Sequence, residues 1–296
     1  MARRGPYDFA TAFAEKLLRD EFKVDKLPVN PIALAKSQGI RVVSMPKDHD
    51  GVSGMFIHAH GKSAIAYATH IESKGFQHFS VAHEIGHCYL PGHIDAILPD
   101  GATEHYSRSG FVSDDRYELE ADHFAAGLLM PTRLFTRAMD TAGDGLDAIE
   151  HLKTRCETSL TATAIRYQQL TGEAVAIIQS RGNRIEFCFM SDRFLSLKPG
   201  RWPRKDDAVP RRSVTHRLNA DPDRVAQAER IADETHGVDW FGAFPDIELY
   251  EEVVGLGRYG RSLTVITTVD ALDDGDDDPG PGRTLGTAAQ VALKSF

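Results

Sequence analysis

Cysteine is scarce: Cys88, Cys156 and Cys188 are the only three among 296 residues. The number is odd and no CxxC pair occurs, which excludes a disulfide framework and a thiolate zinc ribbon and makes the reducing cytoplasm the expected location. Long apolar runs are also missing, so no helix is expected to cross a bilayer and no membrane partner follows. The opening MARRGPYDFATAFAEKLLRDEF carries arginines, but Asp8 and Glu15 interrupt what would have to be the apolar core of an export signal. Positive charge is in deficit as well, with 34 lysines and arginines against 43 aspartates and glutamates and a formal net charge of -9. That is the wrong sign for a protein held on nucleic acid by cationic contacts to phosphates.

What the chain does contain is ordinary globular composition, 42% hydrophobic and 26% charged, at a length sufficient for roughly two domains. Residues 8 to 22 repeat apolar side chains at helical spacing, and LPVNPIALAKSQGIRVV reads as a short helix closing at Gly39 before a strand. GVSGMFIHAHGKSAIAYA reads as a hairpin turning at HGKS. A helix follows from about Phe76 to Leu90, stopped by Pro91 and Gly92. After a loop rich in Gly, Ser and Asp, DDRYELEADHFAAGLLMP forms a helix whose acidic start suits its dipole. Residues 144 to 171 read as two helices, the second capped by Ser159. The character changes near Gly172: AVAIIQSRGNRIEFCFM reads as a hairpin, DRVAQAERIADETHG as a helix, and IELYEEVV with SLTVITTV as a second strand pair. The fold class is therefore α+β.

The stretch HFSVAHEIGHCYL holds the chemistry. On a helix, His83 and His87 lie one turn apart on one face and can share an ion. Glu84 projects about 100° round the helix, beside that face, where it can take a proton from the attacking water. A chain with 13 histidines can spell HExxH by chance, so context must decide, and a catalytic zinc needs a third protein ligand with a fourth position open. Glu118 in ELEAD is the candidate, with Asp122 one turn on to hydrogen-bond a ligating histidine and fix its tautomer. Glu120, about 200° round the helix from Glu118, is expected to face solvent. A second donor for the developing oxyanion is needed too, and His93, His105, Tyr106 and Tyr117 are left open. Cys88 points away from the ligand edge and reads as a small hydrophobe. His58 and His60 read as rim residues, and RWPRKDDAVPRR as an exposed loop.

FSVAHEIGH, EADHFAAGLLMP and SLTATAIRYQQLTG, in this order, resemble the ImmA/IrrE family of bacterial metallopeptidases over approximately residues 8 to 172. The resemblance implies a zincin-like domain over 1–140, a helix-turn-helix-like helical segment over 141–172 and a smaller GAF-like α+β sensor domain over 173–270; the acidic run with Gly and Pro over 271–296 cannot bury apolar surface and is expected to be a disordered tail. It implies His83, His87 and Glu118 as ligands of one Zn2+, with another divalent ion such as Mn2+ an alternative, and Glu84 as general base. Family members often cleave a helix-turn-helix transcriptional repressor, releasing stress-response or mobile-element genes, so the expected partner is such a repressor. The second reading is a regulator that binds DNA or protein without turnover. For DNA it has only Lys153, Arg155 and Arg166 on the 144–171 helices, few for phosphate neutralisation.

Overall fold

The computed structural model describes residues 8–45, 51–108 and 115–269. They form two compact units, one of residues 8–142 with 150–163, the other of 143–149 with 164–269. The acidic stretch from 271 onward, expected to be disordered, lies outside the described residues.

The first unit opens with α1 (Asp8–Asp20), α2 (Pro31–Ser37) and β1 (Arg41–Ser44), the expected helix, helix, strand order. Asn30 caps α2 by accepting from Ala33 N at 3.0 Å, and Pro31 at its first position has no amide to leave unpaired. The hairpin is β2 (Val52–Ala59) and β3 (Lys62–Tyr67). Its two-residue turn, His60 and Gly61, has both φ angles positive, at 51° and 70°, the twist a tight hairpin needs. Then come α3 (Lys74–Tyr89), α4 (His93–Ile97), β4 (Glu104–Arg108), α5 (Arg116–Leu129) and α6 (Thr132–Met139). β4 falls where a loop was expected. Its sequence, EHYSR, has no apolar alternation, and it is a strand because it pairs antiparallel with β2, His105 opposite Phe56 and Tyr106 opposite Met55. The sheet order is β1-β3-β2-β4, with α3 and α5 packed together beside it.

Two helices follow, α7 (Gly145–Cys156) and α8 (Leu160–Leu170), and the division between the units passes through both. Ser159 caps α8 as expected, its Oγ accepting from Ala162 N at 3.1 Å.

The second unit holds β5 (Val175–Arg181), β6 (Arg184–Met190), α9 (Asp192–Ser196), α10 (Val214–Asn219), α11 (Pro222–Ala226), β7 (Arg230–Thr235), α12 (Gly237–Phe241), β8 (Leu249–Gly255) and β9 (Arg261–Thr268). They build one antiparallel sheet, order β6-β5-β9-β8-β7, over a core that includes Trp240, Phe241 and Phe194. The single helix expected over 223–237 is corrected: α11 ends at Ala226, Ala228 takes a positive φ of 56°, and RIADET pairs along its whole length with β8. It is an edge strand, and the charges that protect an edge are what made it read as a helix surface. The loop over 201–212 is mostly exposed as expected, and is anchored where Trp202 Nε1 donates to Cys188 O at 2.9 Å and Val209 is buried.

Candidate metal centre

α3 starts at Ser73, whose Oγ accepts from Phe76 N at 3.3 Å, and every residue from Ser80 to His87 is buried. A helix so enclosed needs a close neighbour, and Gly86 in HEIGH admits one. A Cβ there would stand 3.3 Å from Ala121 Cα and 3.2 Å from Phe124 Cδ1, so its absence lets α5 cross near the two histidines. α5 is capped by Asp115, which accepts from Tyr117 N at 2.7 Å, and so begins one turn before the functional carboxylates.

At that crossing His83 Nε2 and His87 Nε2 are 3.0 Å apart. Glu118 reaches between them, Oε2 at 3.3 Å from His83 Nε2 and Oε1 at 3.3 Å from His87 Nε2. These three residues form a group able to hold a metal ion, their ligand atoms all within 4.8 Å of one another. Asp122, one turn along α5, accepts from His83 Nδ1 at 2.8 Å, the partner expected of it.

The charges of the cluster call for a cation. Burial pushes His83 downward, yet the hydrogen bonds and charges of Asp122 and Glu118 carry its pKa well above the ordinary histidine value, so a proton supplies the positive charge between the two carboxylates. Burial likewise acts to raise Glu118, and hydrogen bonds from His105 and His83, with the charge of His83, instead hold it far below the usual carboxylate range. His87 is taken down to about 3 by burial and is neutral. Glu84 is fully buried, with no well-formed hydrogen bond on either oxygen. Burial raises it to about 7 against the opposing charge of His83 and the Ser107 hydroxyl of β4, which faces it and acts to lower its pKa.

Of the four residues left open as oxyanion donors, β4 brings His105 to the cluster, its Nε2 2.8 Å from Glu118 Oε1. Tyr106, next along the strand, points the other way; it is 41% exposed and its hydroxyl donates to Glu104. Tyr117 lies edge-on to the ring of His93, and His93 is wholly buried behind His87. Glu120 is the correction on α5. Expected in solvent, it is 7% exposed and bonded to His93 and Arg116, because α4 folds His93 against the flank of α5 that helical geometry alone leaves open. His58 bonds Ser63 on the neighbouring strand, and His60 is exposed in the turn. Cys88 is half-buried with Ser63 at 3.7 Å.

One residue of the site was not singled out in the sequence. A Cβ on Gly54 of β2 would stand 2.3 Å from Glu84 Oε1, so the strand is bare there to house the carboxylate. A glycine inside a strand pattern is the signal that points to such a close approach.

Residues 35–168 match the family described as IrrE N-terminal-like domain, Peptidase_M78. Residues 35–168 are an IrrE N-terminal-like domain. The match spans β1 to α8 and therefore all of His83, Glu84, His87 and Glu118; α1 precedes it. A solved structure described as a Mycobacterium tuberculosis transcriptional regulator is similar at TM-score 0.56 and 18% identity, over 88% of this chain and 78% of that one. At that identity the likeness concerns the fold alone. No curated protein matches. The IrrE-like family is metallopeptidase-like in general, and among the described residues no helix is long and apolar enough to cross a membrane.

Proposed function

We propose that the chain is a zinc-dependent, site-specific endopeptidase of the cytoplasm that cleaves a separate helix-turn-helix transcriptional repressor, inducing stress-response or mobile-element genes. The observation that carries this reading is the convergence of His83, His87 and Glu118 beside a buried Glu84 that lacks a well-formed hydrogen bond. The donor set fits the ion. Zinc bonds of about 2.0–2.1 Å in tetrahedral geometry put ligand atoms about 3.3 Å apart; here the two Nε2 atoms are 3.0 Å apart and each has one Glu118 oxygen 3.3 Å away. No fourth protein ligand completes the group among the described residues, as a catalytic rather than structural zinc requires.

When bound, a divalent ion polarises the scissile carbonyl and makes water a stronger acid. Glu84 takes the proton of the attacking water and passes it to the leaving amine, a role for which a carboxyl near pH 7 is suited. Asp122 holds His83 by its Nδ1, leaving Nε2 for the ion. His105, already within bonding distance of Glu118, is the donor best placed for the oxyanion. The second unit, a single antiparallel sheet carrying short helices, is read as a GAF-like sensor.

The direct test is incubation with a purified helix-turn-helix repressor encoded beside this gene. Two fragments from one cut are expected by mass spectrometry, none after chelation, and full recovery on adding zinc. Cleavage indifferent to chelation would overturn the metal-dependent reading. The alternative, a regulator that does not turn over substrate, draws on the description of the structural neighbour as a transcriptional regulator; it predicts a stable complex with operator or repressor and no fragments.

Gly54 supplies a second test. Gly54→Ala adds only a methyl group to a strand, at a position where it meets the carboxylate end of the Glu84 side chain. Thermal stability should remain within about 1 kcal/mol, while displacement of the carboxylate lowers the cleavage rate by about 10²-fold. An unchanged rate would show that Glu84 does not act from where it lies.

A further inference from the structure

The side of His87 turned away from Glu118 faces another buried set of polar groups. His93 is fully buried, with its Nδ1 3.1 Å from His87 Nδ1 and its Nε2 3.1 Å from Glu120 Oε2. Glu120 Oε1 accepts from Arg116 Nε at 2.5 Å. The Arg116 side chain is 74% exposed and that of Glu120 only 9%, so an unbroken row of bonded groups runs from the ligand cluster to the surface. The chain is bent to build it: Gly92, at a φ of 78°, turns α4 back after Pro91, and the ring of Tyr117 stands perpendicular to that of His93 with centroids 5.1 Å apart.

The hydrogens in this row have one consistent arrangement. An ionised Glu120 only accepts, so His93 Nε2 carries the hydrogen between them. Arg116 already balances the charge of Glu120, and a buried cation on His93 would be unmatched; His93 is therefore neutral and its Nδ1 is bare. The facing His87 Nδ1 must donate to it. A neutral His87 protonated at Nδ1 has its lone pair on Nε2, the atom 3.3 Å from Glu118.

We propose that His93 and Glu120 are positioning residues of the metal centre, a relay that locks His87 in the Nδ1-protonated tautomer and so presents its Nε2 lone pair to the ion. The proposal rests on the metallopeptidase reading. Each histidine ligand is then backed by a carboxylate, His83 by Asp122 directly and His87 by Glu120 through an intervening imidazole. Such outer partners orient ligands and raise their basicity.

The test is calorimetric zinc titration of the metal-stripped full chain with three variants, alongside nitrogen NMR of the imidazole tautomers before zinc is added. His93→Leu removes the acceptor and should weaken zinc by about 10–100-fold. His93→Asn keeps an oxygen where Nδ1 lies and should recover most of that loss, which a purely structural role would not allow. Glu120→Gln is nearly isosteric and folds most safely. With Arg116 holding its oxygen, its amide donates to His93 Nε2, reverses the row, and moves the proton of His87 to Nε2, seen by NMR together with weaker zinc. Native affinity in His93→Leu or in Glu120→Gln would overturn the relay, as would equal losses in His93→Leu and His93→Asn. A native chain that takes no zinc overturns the metallopeptidase reading itself, and with it the purpose of the relay, even if the tautomers are as described.

Discussion

Glu84→Gln is expected to keep zinc at native affinity and to lower repressor cleavage by about 10²–10⁴-fold, the range for removing a general base. Glu84 sits between the two histidines in sequence but about 100° round the helix from His83, so it does not share their ligand edge. Both its oxygens are buried without a well-formed hydrogen bond, and burial has brought its pKa to about 7. A carboxylate left so poorly solvated gives no well-formed bond to the fold beyond the facing Ser107 hydroxyl, and its ionised form is disfavoured by the surroundings. Glutamine has the same shape, fits the space that Gly54 leaves, and carries no charge to desolvate, so the variant should melt no lower than the native chain. What it lacks is a site for the proton of the attacking water. The loss should fall on kcat with KM little changed, since the group acts on the reacting water rather than on distant parts of the substrate. Calorimetry for zinc and a single-turnover assay on the repressor check the two halves separately. Cleavage at the native rate would take Glu84 out of the chemistry.

The sequence was most legible where local pattern and tertiary need coincide. HEIGH fixes two imidazoles on one helical face whatever surrounds them, and the spacing of Glu118 and Asp122 likewise fixes their common face; the structure brings all four together. Caps at Ser159 and the hairpin at His60 and Gly61 were readable because each is satisfied by residues next to it. Legibility fails where a distant segment decides. Glu120 looks solvent-facing from α5 alone, and only the return of α4 buries it against His93. β4 has no apolar alternation to announce it, and exists through its pairing with β2. The segment 230–235 carries an edge strand's protective charges, which imitate a helix surface until β8 lies beside it. Gly54 was passed over inside its strand pattern, because its meaning depends on a glutamate 30 positions away.

Glu118→Ala should cost zinc affinity about 10²–10³-fold, since a structural four-ligand site binds with about 10–16 kcal/mol in all and one ligand's share is about 3–4 kcal/mol. Glu118 is the only acidic member of the ligand group and is held ionised by the imidazoles that face it, so no deprotonation need precede binding. Its loss also leaves His83 and His105 without the carboxylate each faces, and His83 keeps only Asp122. The metal-free variant should still fold, because α5 is anchored through Ala121, Phe124 and Leu128, all fully buried. Excess zinc at about 1,000 times the native Kd adds about 4 kcal/mol to a chain with an intact site, a clear rise in Tm that Glu118→Ala should largely forfeit. Titration and melting thus report the same ligand by independent routes. Native-like binding in both would leave HEIGH as two histidines with no distant partner, and the open three-ligand site on which hydrolysis depends would not exist.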